Sequence, residues 1–266
     1  MEKLCRAIGM PDAVTSRLME LDAHPQTLPV EKLLHRDTWD EGLRELRQAI
    51  GEDPDGFQML HTQLRCALAA RTTYGQLGLS NQIYIDTMAA FSRFVKEHLV
   101  SFGRYGFDRG FWTVREIACV LFRIGELEYC LTQQDGQKVV CLHIPSDADL
   151  TTCRLRRSYM DAKAVLQRTF PDYADVPIVS ESWLFSPVLQ NFLPEDSRIL
   201  RFQRSFDIRP GRDGRADVLQ WVFRKPDLPL DQLPEDTYLQ RALKPFLCRG
   251  GAFPLGLVTL RPDPFL

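Results

Sequence analysis

The sequence predicts an α+β protein, with a helical N-terminal domain over residues 1–108 and a mixed β-sheet with flanking helices over residues 109–266. Two observations carry that division. Through the first 124 residues, apolar side chains recur every three or four positions, the period of a helix with one buried stripe. At Gly125 the pattern changes to short runs of Leu, Val, Tyr and Cys separated by turn residues, the signature of strands. With 44% hydrophobic and 26% charged residues, both parts have enough apolar surface to offset the ordering cost of folding.

Taken in chain order, Trp39, Leu43, Leu46 and Ile50 form the first clear stripe, and Phe57, Leu60, Leu64 and Leu68 the second. Tyr84, Met88, Phe91, Val95 and Leu99 mark a longer helix, and Val114, Ile117, Leu121 and Ile124 a further one. Breaks are expected at Pro25 and Pro29, from Gly51 to Gly56, at Gly75 and Gly78, and at Gly103-Arg104-Tyr105-Gly106. Asp12 after Pro11 and Ser80 after Leu79 are suitable helix starts.

In the second half, Glu126–Thr132 and Lys138–Ile144 read as a hairpin closed by Gln133-Gln134-Asp135-Gly136-Gln137. A helix over Thr151–Arg168 would bury Leu155, Tyr159, Ala162 and Leu166, and Val176–Trp183 reads as the next strand. Ser186–Phe192 suits one or two helical turns. Ile199–Ile208 and Val218–Phe223 read as strands joined by a second hairpin at Pro210-Gly211-Arg212-Asp213-Gly214. A helix over Thr237–Leu247 and a closing strand over Phe253–Leu260 complete the order.

Several function classes drop out on composition. A formal charge of −2, from 33 basic and 35 acidic residues, gives no whole-chain attraction to nucleic acid or to an anionic membrane. No apolar run reaches the roughly 18–20 residues that span a bilayer. Met1-Glu2-Lys3-Leu4-Cys5-Arg6 carries charge where a secretory signal needs apolar residues, so a cytoplasmic location is expected. The seven cysteines are odd in number and irregularly spaced, without a Cys-x-x-Cys pair, and the five histidines form no zinc pattern. No metal is expected.

More specific than any periodicity are six strings: Ile83-Tyr84-Ile85-Asp86-Thr87-Met88, Leu121-Phe122-Arg123-Ile124-Gly125-Glu126-Leu127-Glu128-Tyr129, His143-Ile144-Pro145-Ser146, Glu181-Ser182-Trp183-Leu184-Phe185-Ser186-Pro187, Phe202-Gln203-Arg204-Ser205-Phe206, and Leu239-Gln240-Arg241-Ala242-Leu243 followed by Gly250-Gly251. In this order, over residues 75–260, they resemble a bacterial acyltransferase-domain family. Its members join a helical N-terminal domain to a C-terminal domain of the GNAT (GCN5-related N-acetyltransferase) type. The resemblance implies transfer of an acyl group from acyl-CoA to an amine, on a small molecule or a peptide, by direct attack. It also implies that the pantetheine arm lies between the Lys138–Ile144 and Val176–Trp183 strands, which splay apart. The coenzyme would then meet Thr151, Thr152, Arg156, Arg157 and Trp183. One departure is clear. Where such enzymes carry a glycine-rich phosphate loop, this chain has Ser146-Asp147-Ala148-Asp149-Leu150-Thr151-Thr152, whose two carboxylates would repel a pyrophosphate. That loop keeps a second reading open, a degenerate GNAT-like module that binds a ligand or protein without catalysis.

His143 ends a strand at the mouth of this expected cleft, where a histidine can act as general base or simply bond a backbone carbonyl. Glu181, among apolar neighbours at the end of the next strand, can take a proton from an incoming amine or pair with an arginine. Glu126 and Glu128, two apart on a strand, are expected on a solvated face. From Arg198 to Lys225 eight basic residues stand against three aspartates, and the alternation of Arg201, Phe202, Arg204 and Phe206 favours a two-faced strand with solvated arginines over a phosphate site.

Overall fold

The computed structural model describes residues 1–24 and 26–264, so the break expected at Pro25 lies outside the described residues. Among the described residues six α-helices lie in the N-terminal half: α1 (Glu2–Ala7), α2 (Asp12–Ala23), α3 (Trp39–Ile50), α4 (Phe57–Gln76), α5 (Asn81–Phe102) and α6 (Gly110–Ile117). Ser80 caps α5 as its position suggested, its Oγ accepting the Ile83 N–H at 3.2 Å. The apolar stripes of these helices merge into the main core through residues such as Leu46, Leu64, Phe91 and Val95, all fully buried. Among the described residues no helix is long and apolar enough to cross a membrane.

A six-stranded sheet follows, made of β1 (Leu121–Ile124), β2 (Leu127–Gln134), β3 (Gln137–His143), β4 (Ile178–Ser182), β5 (Phe206–Asp213) and β6 (Pro254–Leu260). The strand order is β1-β2-β3-β4-β6-β5. As expected, β2 and β3 are an antiparallel hairpin. β4 runs parallel to β3 through the crossover helix α7 (Thr152–Thr169), and the other pairs are antiparallel.

Strand alternation sorts the side chains onto two faces. Phe122, Tyr129, Leu131, Val140 and Leu142 face α7 and pack on Leu155, Ala162 and Leu166. The Tyr129 hydroxyl meets Ser158 Oγ of α7 at 3.4 Å. The opposite face carries Arg123, Glu128, Cys130, Cys141 and His143 on β1–β3, and these lie under α5 and α6. The same face continues onto β4, β6 and β5 as Val179, Glu181, Leu257, Thr259, Asp207 and Arg209. There it is open, with Leu257 46% exposed.

Four expectations need correction. Leu121–Ile124 is the strand β1 and not the end of a helix. The chain leaves α6 through Cys119, in the left-handed region at φ 56°, and turns into β2 at Gly125, φ 65°, where a Cβ would stand 2.9 Å from that of Ser158. Ile199–Ile208 is divided, because Ser197 Oγ accepts the Leu200 N–H at 3.2 Å and starts the helix α8 (Arg198–Gln203). The strand β5 then runs through Pro210-Gly211 with a register irregularity, tolerated because β5 is an edge strand. Val218–Phe223 is helical, formed by the end of α9 (Arg215–Val218) and a π turn over Leu219–Phe223. A short apolar run does not by itself separate strand from buried helix. Val218 and Phe223 pack with Leu243 and Leu247 of α10 (Tyr238–Cys248) in a second core. Finally, β4 stops at Ser182, and Trp183 opens a 3-10 turn, so Trp183 does not share a strand face with Glu181.

Candidate functional site

The gap between β3 and β4 is the centre of the candidate site. These strands pair only at Val140↔Ile178 and Cys141↔Val179. Past that point β3 stays with β2, through His143↔Glu128, while β4 goes with β6 through Ser180↔Val258, Glu181↔Leu257 and Ser182↔Gly256. The facing edges of β3 and β4 therefore diverge without a ladder between them. Such edges can bond an extended ligand arm as a strand would.

The crossover loop leads from this gap to the start of α7. Thr151 is the N-cap residue, and its side chain makes no capping bond. The two loop carboxylates are held by arginines. Asp147 receives both of its bonds from Arg123 Nη1, at 2.8 and 3.0 Å, with Arg93 at 3.8 Å. Asp149 accepts the Thr151 N–H at 3.0 Å and lies 3.7 Å from Arg154 and 3.5 Å from Arg198. The repulsion that the sequence suggested is thus locally neutralised, while the dipole and free amides of the first turn remain attractive to an anion. Thr152, Arg156 and Arg157 are exposed on this part of α7. Arg157 pairs with Asp161 at 3.7 Å.

His143 and Glu181 lie on one face of the sheet at matching heights, two residues beyond the last β3–β4 pair, but in unlike surroundings. The His143 ring stands edge-on to Trp112 of α6, centroids 4.7 Å apart, and its Nε2 is enclosed without a hydrogen-bond partner. Burial lowers its pKa to about 4, against the opposing pull of Glu128. It lines a groove of about 690 Å³ together with Arg115, Cys130, Cys141 and, from the N-terminal half, Arg36 and Trp39. Glu181 is 38% exposed, with Arg212 Nε at 3.6 Å. Trp183 is half-buried and packs between the two cores.

Sequence reasoning missed the charged layer beneath this face. Glu128 is 2% exposed and accepts a 2.5 Å bond from Arg93 Nη2, so the solvated face expected for it is wrong. Glu126 is not on the strand. It sits in the turn before β2, where its carboxylate accepts the Asp149 N–H at 2.9 Å. Glu116 of α6 is fully buried, and burial, with Glu128 beside it, raises its pKa well above the usual carboxylate value. One signal was available: Arg93 falls between Ser92 and Phe94 in the apolar stretch of α5, where a lone charge requires a partner on the facing element.

Comparison with known proteins gives a consistent outcome. Residues 121–257 match a GNAT-like C-terminal domain, and residues 1–119 an N-acyltransferase N-terminal domain. No curated protein matches the chain. Among solved structures, the chain is similar to an acyltransferase in complex with decanoyl-CoA, at 22% identity over 97% of this chain and 98% of that one, TM-score 0.72. It is also similar to an acyltransferase in complex with CoA and 10C-teicoplanin, at 24% identity over 98% and 99%, TM-score 0.72. The same identity, coverage and TM-score hold for an acyltransferase bound to decanoyl-CoA and teicoplanin. At these identities the likeness is one of fold.

Proposed function

Because the chain belongs to the family of N-acyltransferases with a GNAT-like C-terminal domain, we propose that it transfers an acyl group from acyl-CoA to an amine by direct attack. The observation that carries this reading is the divergence of β3 and β4 after Cys141 and Val179, next to the uncapped start of α7. The pantetheine arm would lie along the diverging edges, with the phosphates at Thr151, Thr152, Arg156 and Arg157, and Trp183 beside the β4 exit. Arginine pairing of Asp147 and Asp149 removes the main objection to phosphate there. The donors seen with similar folds favour a medium-chain acyl group.

In the transfer, the acceptor nitrogen bonds to the thioester carbonyl carbon, the C–S bond breaks, and the nitrogen's proton passes to His143 and on to the departing sulfur. A neutral imidazole is needed for this, and burial keeps His143 neutral through the physiological range. Glu181, on the open part of the face, would draw the cationic form of a small-molecule or peptide amine towards the gap, where the ammonium gives up one proton to solvent before the neutral nitrogen attacks.

Thermal unfolding with CoA, acetyl-CoA and decanoyl-CoA tests the donor site. At a hundredfold excess over Kd a ligand stabilises by about 2.7 kcal/mol. That corresponds to a rise of roughly 5–10 °C in Tm for a protein of this size. The rise should shrink in Arg156→Ala and Arg157→Ala. No shift with any thioester would favour the non-catalytic module instead.

A further inference from the structure

Titratable and charged groups surround the His143 imidazole from each element packed near it. Across the β2–β3 ladder its register partner is Glu128, on the same face. Side chains in such opposed positions stand about 4.5–5.5 Å apart at Cβ. Arg93 of α5 bonds Glu128 and is 8% exposed, with Asp147 3.8 Å from its Nη1. From α6, Arg115 lays its guanidinium over the Trp112 ring, 4.4 Å from the centroid. Glu116, also on α6, has its pKa raised well above the usual carboxylate value by burial. On β3 itself, burial raises the Cys141 thiol to about 11, so it is neutral. Glu181 of β4 is turned to Arg212 on the open side.

We propose that Glu128, held by Arg93, is a positioning residue for acyl transfer, a fixed carboxylate opposite His143 that balances the charge the imidazole gains on taking the acceptor's proton. The inference rests on His143 as the base. Its physical ground is that an imidazolium formed beside Trp112, with Nε2 enclosed, has lost the water that would otherwise solvate it. A carboxylate already oriented on the neighbouring strand supplies that stabilisation without reorganisation. Stability alone is a poor reason for the Arg93–Glu128 pair. A buried ion pair gains little over apolar packing, and this one leaves Arg93 Nη1 without a hydrogen bond.

Two readouts test the role. In the ligand-free protein, the His143 imidazole is titrated by NMR from pH 7 downward, with a midpoint of about 4 expected for the wild type. Glu128→Gln should lower the midpoint and Arg115→Gln should raise it. If the single amide leaves Arg93 unpaired and the fold fails, Arg93→Gln/Glu128→Gln removes both charges and should still lower the midpoint. In steady-state transfer from decanoyl-CoA to an amine the wild type accepts, Glu128→Gln should reduce kcat about tenfold or more with KM for the donor unchanged. A midpoint that stays put in the Glu128 variants overturns the role of Glu128 alone. Full transfer by His143→Ala overturns the base assignment, and this role with it.

Discussion

One face of the sheet is built in two ways, and the difference separates the two residues that the sequence offers for proton transfer. Over β1–β3 the face is roofed by α5 and α6, and burial lowers the pKa of His143 and raises that of Glu116. Over β4, β6 and β5 the face is uncovered, and Glu181 forms an exposed ion pair with Arg212. Equal height beside the same gap has not made these groups equivalent. Desolvation has tuned one, while the other stands in solvent beside Arg212.

A large stability effect expected from this contrast belongs to His143. Its folded-state pKa is lowered from 6.5 to about 4, so over that pH window the unfolded chain binds a proton that the folded protein does not. Stability from this group is therefore present above about pH 6.5 and declines as the pH falls towards 4, by about 3 kcal/mol in all. Urea unfolding of wild type and His143→Leu between pH 4 and 7 should show that decline in the wild type only. A matching decline in the variant would place its origin elsewhere.

Glu116 should act with the opposite sign. Its raised pKa means that the folded state keeps a proton which the unfolded chain releases above about pH 4.3, so stability is lost as the pH rises. Glu116→Gln, which imitates the protonated acid, should stabilise at pH 7, with the gain vanishing at acid pH. Destabilisation at pH 7 would mean that Glu116 is ionised and paired. On the open half, Glu181→Gln should change stability by less than about 0.5 kcal/mol, and less still in high salt. A larger loss would make the open half as enclosed as the covered one.

Much of the frame of the site was legible in the residues. The Asp135-Gly136 turn placed the β2–β3 hairpin, and the apolar spacing of Leu155, Ala162 and Leu166 placed the crossover helix that makes β3 and β4 parallel. What escaped was set by partners distant in sequence. The solvated reading of Glu128 failed because Arg93, 35 residues earlier on α5, lies over that strand. The two loop aspartates looked hostile to phosphate because neither Arg123 nor Arg198 is a sequence neighbour. Ile199–Ile208 and Val218–Phe223 misled for a local reason, since runs so short have the same apolar content in a strand or a helical turn.

Transfer rates for His143→Ala and Glu181→Gln, measured side by side at saturating decanoyl-CoA against an amine the wild type accepts, test the division between covered and open halves most directly. On the proposed role of His143 as base, His143→Ala should lower kcat by roughly 10²–10⁴. Glu181→Gln should keep kcat within about tenfold and raise KM for the amine. Full kcat in His143→Ala together with a collapse in Glu181→Gln would contradict the account and move the proton transfer to the open face.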